Sequence, residues 1–385
     1  MSRWSAAYVP LWLVPDLVDS AQRWLYGTLF WPHWLRLAGA RIGRDCEISS
    51  LYDALPATID IGDHSFCADG IHLGGARVHR GTVTVRPVAL ASNVFLGNGA
   101  LVPGGVRVPE GTLLGINTVA DPRILRPRTV WFGHPPFRIR RAPVPGAEAE
   151  LVKHPSVLRL TTRLFWEVAR FALPSGPVLA FAFYLWAVER VTAAGSVLQL
   201  AIAIPLISLG TALLPIVVAL ATKWLLLGRM RSGVHPLWSC WASRWDFYCV
   251  VWNVYVRQLS AELGWTALLA VLLRAAGVRV GRGVVLDGRF AEDLPDPDMI
   301  TIEDGATVEG TFQAHTFEDR VLKNGPVIIR SGATVAHNAV LLYGADVGAN
   351  TRVAPHSVIM KHERLLPGIA YEGFPIRRVA EEQLT

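Results

Sequence analysis

Through residues 329–359 an aliphatic side chain returns at every sixth position: Ile329, Val335, Leu341, Val347, Val353 and Ile359. Four places after each of the first five stands a small residue: Ala333, Ala339, Ala345, Thr351 and Ser357. The amino-terminal half keeps the same beat with Leu90, Leu96, Val102, Val108 and Leu114, each followed at plus four by Val94, Ala100, Val106, Thr112 and Thr118. Six is neither the 3.6 of a helix nor the 2 of a simple strand. It suits a triangular coil with one short parallel strand on each flat face, the aliphatic side chain inward and the small one near the corner. Stacked coils bury one continuous column, each turn covering the backbone edge of the next. The expected fold is mainly β, with two left-handed parallel β-helix modules.

The halves also match each other. Arg41-Ile-Gly-Arg answers to Arg279-Val-Gly-Arg, and Ile59-Asp-Ile-Gly-Asp63 to Ile300-Thr-Ile-Glu-Asp304. Asn98 pairs with Asn338, Gly104 with Gly344, and Trp131-Phe-Gly-His-Pro135 with Tyr371-Glu-Gly-Phe-Pro375. A duplicated unit, amphipathic helix then β-helix, explains this spacing. The expected domains are an interfacial helical segment (1–40), a first module (41–142), a transmembrane hairpin (143–228), a second interfacial segment (229–277) and a second module (278–385).

Hydrophobic residues are 51% of the 385 and charged ones 18%, which excludes a disordered chain. Residues 177–187 and 197–227 are apolar, and the second stretch exceeds the ~20 residues that cross a bilayer. Two transmembrane helices are expected, roughly 164–190 and 196–226, with a turn at 192–195 and kinks at Pro205 and Pro215. Glu167 and Arg170 then sit near one end. The alternative is a buried hairpin in a large soluble core. Arg138, Arg140, Arg141, Lys153, Arg159 and Arg163 precede the hairpin, Arg229 and Arg231 follow it, and only Glu189 and Arg190 lie between. The positive-inside bias puts both modules on the cytoplasmic side of a multi-pass inner-membrane protein. Residues 236–275, with Trp238, Trp241, Trp245 and Trp252, read as helices at the membrane interface. Residues 1–36 read as no cleavable signal, being broken by Pro10, Pro15, Asp16 and Asp19, and an interfacial or packed helix is expected at 16–29. The net charge is +6, but only four of the 37 basic residues are Lys and the Arg residues gather beside apolar runs, which fits a membrane flank rather than nucleic acid. Cys46, Cys67, Cys240 and Cys249 have no paired spacing and read as free thiols.

The segment His315-Thr-Phe-Glu-Asp-Arg320, the run Asn324-Gly-Pro-Val-Ile-Ile, the hexads and Glu372-Gly-Phe-Pro-Ile-Arg-Arg378 resemble the hexapeptide-repeat acyltransferases. The whole layout, with Ile61-Gly-Asp-His-Ser-Phe66, Ala68-Asp-Gly70, His-Pro-Leu-Trp-Ser at 235–239 and Gln313-Ala-His-Thr-Phe-Glu-Asp-Arg320, resembles the carboxyl-terminal region of nonribosomal peptide synthetases of the ε-poly-lysine-synthetase type. That resemblance covers nearly all of the chain. It implies tandem condensing modules, separated by membrane helices, that join amino-acid units into amides. The sequence has two such modules rather than three and no adenylation or carrier domain, so the activated donor is expected from outside, on a partner's phosphopantetheine carrier or on CoA.

Acyl transfer from a thioester needs one proton removed and one oxyanion tolerated. His315 is the candidate base: residues 317–326 break the six-residue rule and loop out of the coil, and the resemblance puts the catalytic His at this point. Glu318 or Asp319 is expected to fix its tautomer, and Arg320 to bind a carboxylate or a carrier phosphate. In the first half His72 or His79 is a candidate second base, the alternative being a degenerate module. Asp63 and Asp69 read as turn residues. Asn338 and Asn98 are candidate pantetheine contacts, or else internal asparagines of the coil. His315, His337 and His356 raise a three-His zinc reading, but without convincing ligand spacing, and no metal is expected. The expected activity is an amide-forming, membrane-bound acyltransferase that works with a carrier protein or an adenylation–carrier synthetase, as a homo-oligomer. The alternatives are an acetyl-CoA-dependent O- or N-acetyltransferase and a non-catalytic scaffold for a synthetase.

Overall fold

The computed structural model describes residues 1–140, 149–153, 155–291, 293–318 and 320–379. The chain divides into two compact units, Met1–Pro145 and Gly146–Thr385. Arg141 of the expected basic flank lies outside the described residues.

Unit two is built on three parallel sheets. In one, Arg279–Val280, Ile300–Ile302, Val327–Ile329, Asp346–Val347 and Arg364–Leu365 lie side by side. Ile329 pairs with Val347 and Val347 with Leu365; on the second face Val335 pairs with Val353 and Val353 with Tyr371; on the third Leu341 pairs with Ile359. Partners are thus eighteen residues apart, three hexads to a turn, and every sixth side chain joins one interior column. Ile329, Val335, Leu341, Val347 and Ile359 are fully buried, as are Ala333, Ala339, Thr351 and Ser357 at the corners. The column is apolar surface removed from water, the main source of the coil's stability.

Unit one repeats the three sheets, with Leu90 paired to Val108 and Leu96 to Leu114. Each coil is entered through a helix whose arginine ties it down. In unit one α1 (Val9–Leu25) is followed by α2 (Trp31–Leu37), and Arg36 of α2 donates to the carbonyls of Ile42 and Gly43. In unit two Arg274 donates to those of Val280 and Gly281. Asp63 and Asp304 both cap the next corner, accepting from the backbone N–H of Arg44 and Arg282. Asp63 is therefore a turn residue; Asp69 accepts from the Ser49 and Ser50 hydroxyls and has the same role.

Registers correct the alignment of the halves by one position. Leu73 pairs with Val102 and Phe312 with Leu341, so Val102 stands where Leu341 stands. Counting back, Asn338 corresponds to Gly99, and Asn98 to His337. Asn338 (φ 57°) and Gly99 (φ 66°) share a left-handed corner. Asn and Gly are the residues that accept that conformation, which is why identity alone misled the match.

Between the coils of the sequence come α3 (Ala149–Val152), α4 (Val157–Ala169), α5 (Ser175–Ala194), α6 (Val197–Leu226), α7 (Cys240–Tyr255), α8 (Arg257–Glu262) and α9 (Ala267–Ala276), all in unit two. Two helical stretches, Val157–Ala193 and Val197–Leu226, are long and apolar enough to cross a membrane. Within an apolar 18-residue window of the second no residue is buried, while Ala219 and Lys223 of that helix are buried. Glu167 and Arg170 sit in the first, buried against neighbouring polar groups: Arg163 Nε lies 2.8 Å from Glu167, and Arg170 Nη2 2.5 Å from Asp246.

Helix α7 differs from expectation. Trp245, Tyr248 and Trp252 are buried, and together with Val250 and Val251 they belong to the core that also holds the coil's column. The helix packs on α4 and α6, and Trp245 and Tyr248 bond to the 294–296 segment, so these aromatic side chains are buried inside unit two. Both coils also carry an antiparallel hairpin outside the six-residue rule: Ala76–His79 with Thr82–Val85, and His315–Glu318 with Val321–Asn324. In unit two a third strand, Gly233–Pro236, pairs with the second arm.

Candidate active site in unit two

His315 opens the hairpin, where the chain leaves the coil after Thr311–Gln313. Its Nδ1 lies 2.7 Å from Oδ2 of Asp296, whose side chain is fully buried. A carboxylate only accepts, so Nδ1 is the nitrogen that donates to it, and in the neutral imidazole the lone pair then falls on Nε2. The imidazole is 17% exposed, so the ring edge reaches solvent while its orienting partner does not.

Asp296 is held from several sides. Its Oδ1 accepts from Trp245 Nε1 and Asn324 Nδ2, each at 3.3 Å. Trp245 also donates to the Pro295 carbonyl at 3.1 Å, and the Tyr248 hydroxyl to the Leu294 carbonyl at 3.0 Å. Asn324 stands directly opposite His315 in the hairpin, and its Oδ1 accepts from Gly233 N–H at 2.8 Å. Trp245 meets the His315 ring edge-on, with centroids 4.9 Å apart. A buried charge held by this many donors is fixed in place, and so is the ring it orients.

His235, from the run 235–239, faces Leu322 in the same sheet. It stacks on Trp241 with centroids 3.7 Å apart, and its Nε2 is buried without a hydrogen-bond partner. Burial pushes its pKa below the ordinary value, against the opposing pull of Asp296.

The other predicted residues fall in different places. Glu318 does not orient His315: it binds Lys323 Nζ at 2.9 Å and also Lys361. Burial raises the Glu318 pKa, but Lys361 and Lys323 together outweigh it and hold the carboxyl below its usual value. Asp319 lies outside the described residues. Arg320 is 5% exposed at the hairpin turn, with φ 62°, and its carbonyl accepts from Leu237 N–H. It presents no open charge to a phosphate. Asn338 is exposed at its corner, and Asn98 accepts from Asp69 N–H at 3.3 Å. His337 and His356 neighbour each other, with ring centroids 6.4 Å apart, and His315 pairs instead with Asp296. Among the described residues no group of three His, Cys, Asp or Glu could hold a metal ion.

In unit one His72 lies on a coil strand between Tyr52 and Leu101, not on the hairpin, with Nδ1 3.8 Å from Asp53. His79 is exposed at the hairpin's far end, opposite Thr82. The residue that opens the hairpin, as His315 does, is Ala76, paired with Val85 as His315 is with Asn324. The 3-10 turns Pro56–Thr58 and Pro297–Met299 precede the matching strands, so Leu55 stands for Asp296. All three polar groups of the site are apolar in unit one.

Sequence reasoning missed Asp296, Asn324 and Trp245. The matched strands Ile59 and Ile300 carried the signal: Leu55-Pro-Ala57 precedes one and Asp296-Pro-Asp298 the other.

The site is thus an imidazole–carboxylate pair at an excursion from a hexad coil. No family model matches the chain. It is similar to the delta-poly-L-ornithine synthetase of Acinetobacter baumannii, 27% identical over 389 residues and 96% of this chain. The chain spans only 28% of that relative's length. The resemblance to amino-acid-polymer synthetases seen in the motifs therefore extends along the chain. Among solved structures, a hexapeptide-repeat acetyltransferase of Vibrio cholerae matches 36% of this chain and 93% of its own, at 17% identity and TM-score 0.25. A serine acetyltransferase of Neisseria gonorrhoeae matches 60% of this chain and 94% of its own, at 16% identity and TM-score 0.23.

Proposed function

We propose that the chain is a membrane-bound acyltransferase that makes an amide bond. Both coils are read as left-handed β-helices, and the two apolar stretches as a transmembrane hairpin with both modules on the cytoplasmic face of the inner membrane. The donor is an aminoacyl or other acyl group on a phosphopantetheine thioester, carried by a partner synthetase's carrier protein or by CoA. The acceptor is an amine, and the relative's name makes a basic amino acid such as L-ornithine the first one to try.

The observation that carries this reading is the His315–Asp296 pair: a partly exposed imidazole whose Nδ1 lies 2.7 Å from a fully buried carboxylate, which leaves Nε2 as the nitrogen to accept a proton. The amine nitrogen attacks the thioester carbonyl as Nε2 takes its proton. The C–S bond breaks and the new amide forms. The imidazolium then returns the proton to the leaving thiolate, so thioester and amine become amide and thiol. Unit one, with Ala76 and Leu55 at the corresponding positions, is read as a non-catalytic copy that supports the assembly.

The test is to incubate the protein, purified in lipid nanodiscs, with L-ornithine and either an ornithinyl-loaded carrier or acetyl-CoA, following thiol release and product mass. An amide product from the loaded carrier supports the reading. An amide formed from acetyl-CoA alone would put the donor on CoA and narrow the reading to N-acetylation, and consumption of neither donor would contradict it.

A further inference from the structure

Lys223 lies near the end of apolar helix α6 and is fully buried. Its Nζ is 2.8 Å from Oδ2 of Asp298, which is itself 7% exposed on the side chain, as an ion pair rather than a well-aligned hydrogen bond. Asp298 Oδ2 also accepts from Met230 N–H at 3.1 Å. The place is fitted to these charges: a Cβ on Gly277 (φ +118°) would lie 2.7 Å from Asp298 Oδ1 and 3.0 Å from Lys223 Nζ. Asp298 is two residues from Asp296 across the start of the 3-10 turn Pro297–Met299, with the φ of Pro297 fixed by its ring, so a shift of Asp298 is passed to Asp296 through one short, restrained backbone segment.

Unit one supplies an internal comparison. There the glycine after the entry helix, Gly39 (φ +104°), has Ala57 beneath it, and a Cβ would meet that residue at an ordinary 3.6 Å. Leu55-Pro-Ala57 therefore lacks both the carboxylate that orients an imidazole and the one that binds a lysine. The two acids occur together, in the unit that has His315.

We propose that Lys223 is a positioning residue: through its ion pair with Asp298, the apolar helix α6 sets the 296–298 segment and thereby the orientation of His315. This rests on the functional reading above. Removing one partner of a buried pair strands the other charge and destabilises the fold, whereas replacing both by apolar residues of similar size is often neutral. The experiment therefore compares Lys223→Met, Asp298→Leu and the double variant in nanodiscs. It reads thermal midpoint, kcat and KM with the loaded carrier or acetyl-CoA, whichever the wild type consumes, and the rate at which diethylpyrocarbonate modifies His315, by mass spectrometry.

The double variant, which still leaves the Met230 N–H without its acceptor, is expected to melt closer to the wild type than either single variant, keep its KM and lose about 10²-fold in kcat, the scale of a small misplacement of a reacting group. Its His315 modification rate is expected to match that of Asp296→Asn and to differ from the wild type. A double variant with wild-type kcat and modification rate makes the pair structural and overturns the proposal. Should His315→Ala retain full turnover, the functional reading fails instead, while the modification rates still report whether Lys223 positions the ring.

Discussion

Ala76 in unit one holds the position that His315 holds in unit two: each is the first residue of the hairpin that leaves the coil, opposite Val85 in one case and Asn324 in the other. With Leu55 in place of Asp296, unit one has neither an imidazole nor a carboxylate at the positions that correspond to the His315–Asp296 pair. Substituting His72→Ala or His79→Ala should therefore leave turnover within about twofold of wild type, as substitutions away from a site generally do. A loss of tenfold or more from either would restore the first unit as a catalytic module.

Asp296→Asn keeps the shape of the site but lets an amide face Nδ1, so the tautomer is no longer dictated. On the proposed mechanism His315 and Asp296 act as a unit, so the double variant His315→Ala, Asp296→Asn should turn over no more slowly than His315→Ala alone. Kinetics of the three variants check this. Additive losses would mean that the carboxylate works independently of the ring.

Glu318 is predicted to matter for folding and not for proton transfer. Glu318→Gln leaves Lys323 and Lys361 facing each other without a carboxylate, and should cost about 1–3 kcal/mol of stability with kcat unchanged. Denaturant titration and a turnover measurement separate the two effects. A fall in kcat at undiminished stability would return Glu318 to the catalytic set.

Two pH windows follow from the site's surroundings. Burial lowers the His235 pKa below 6.5, so the folded state binds that proton less readily than the unfolded chain. Its contribution to stability is complete above pH 6.5 and is lost as pH falls through the lowered value. Glu318, held below its ordinary 4.5 by its two lysines, adds a second loss in more acid solution, as pH falls through its own lowered value. Melting midpoints against pH should show the first step in the wild type and not in His235→Phe, which keeps a ring on Trp241. An unchanged first step in that variant would assign it to another group.

The coils were legible because their period is set by packing: an inward position recurs whenever the chain completes a face, and Ile329, Val335 and Leu341 could not be polar there. The apolar helices were legible for the same reason, since length and composition alone define them. His315 was visible chiefly through the resemblance, because one imidazole beside an irregular stretch carries no period. Its partner was hidden, lying nineteen residues earlier in a segment with no repeat. The nearer acid, Glu318, was the natural choice by sequence distance, but its strand position sends it to Lys323 and Lys361. Trp245 and Trp252 of α7 read as interfacial although the fold buries them, because a helix packed inside a unit and one that lies on a bilayer both need an apolar face, and sequence does not say which surface covers it.

The central claim is that Nε2 of His315 accepts the proton of an amine attacking a thioester. Thiol release from the consumed donor, measured side by side for wild type and His315→Ala in nanodiscs at equal protein, addresses it most directly. The account predicts a fall of about 10²–10⁴-fold, typical of a lost general base, with the melting midpoint and membrane insertion unchanged. Full turnover in the alanine variant would contradict it.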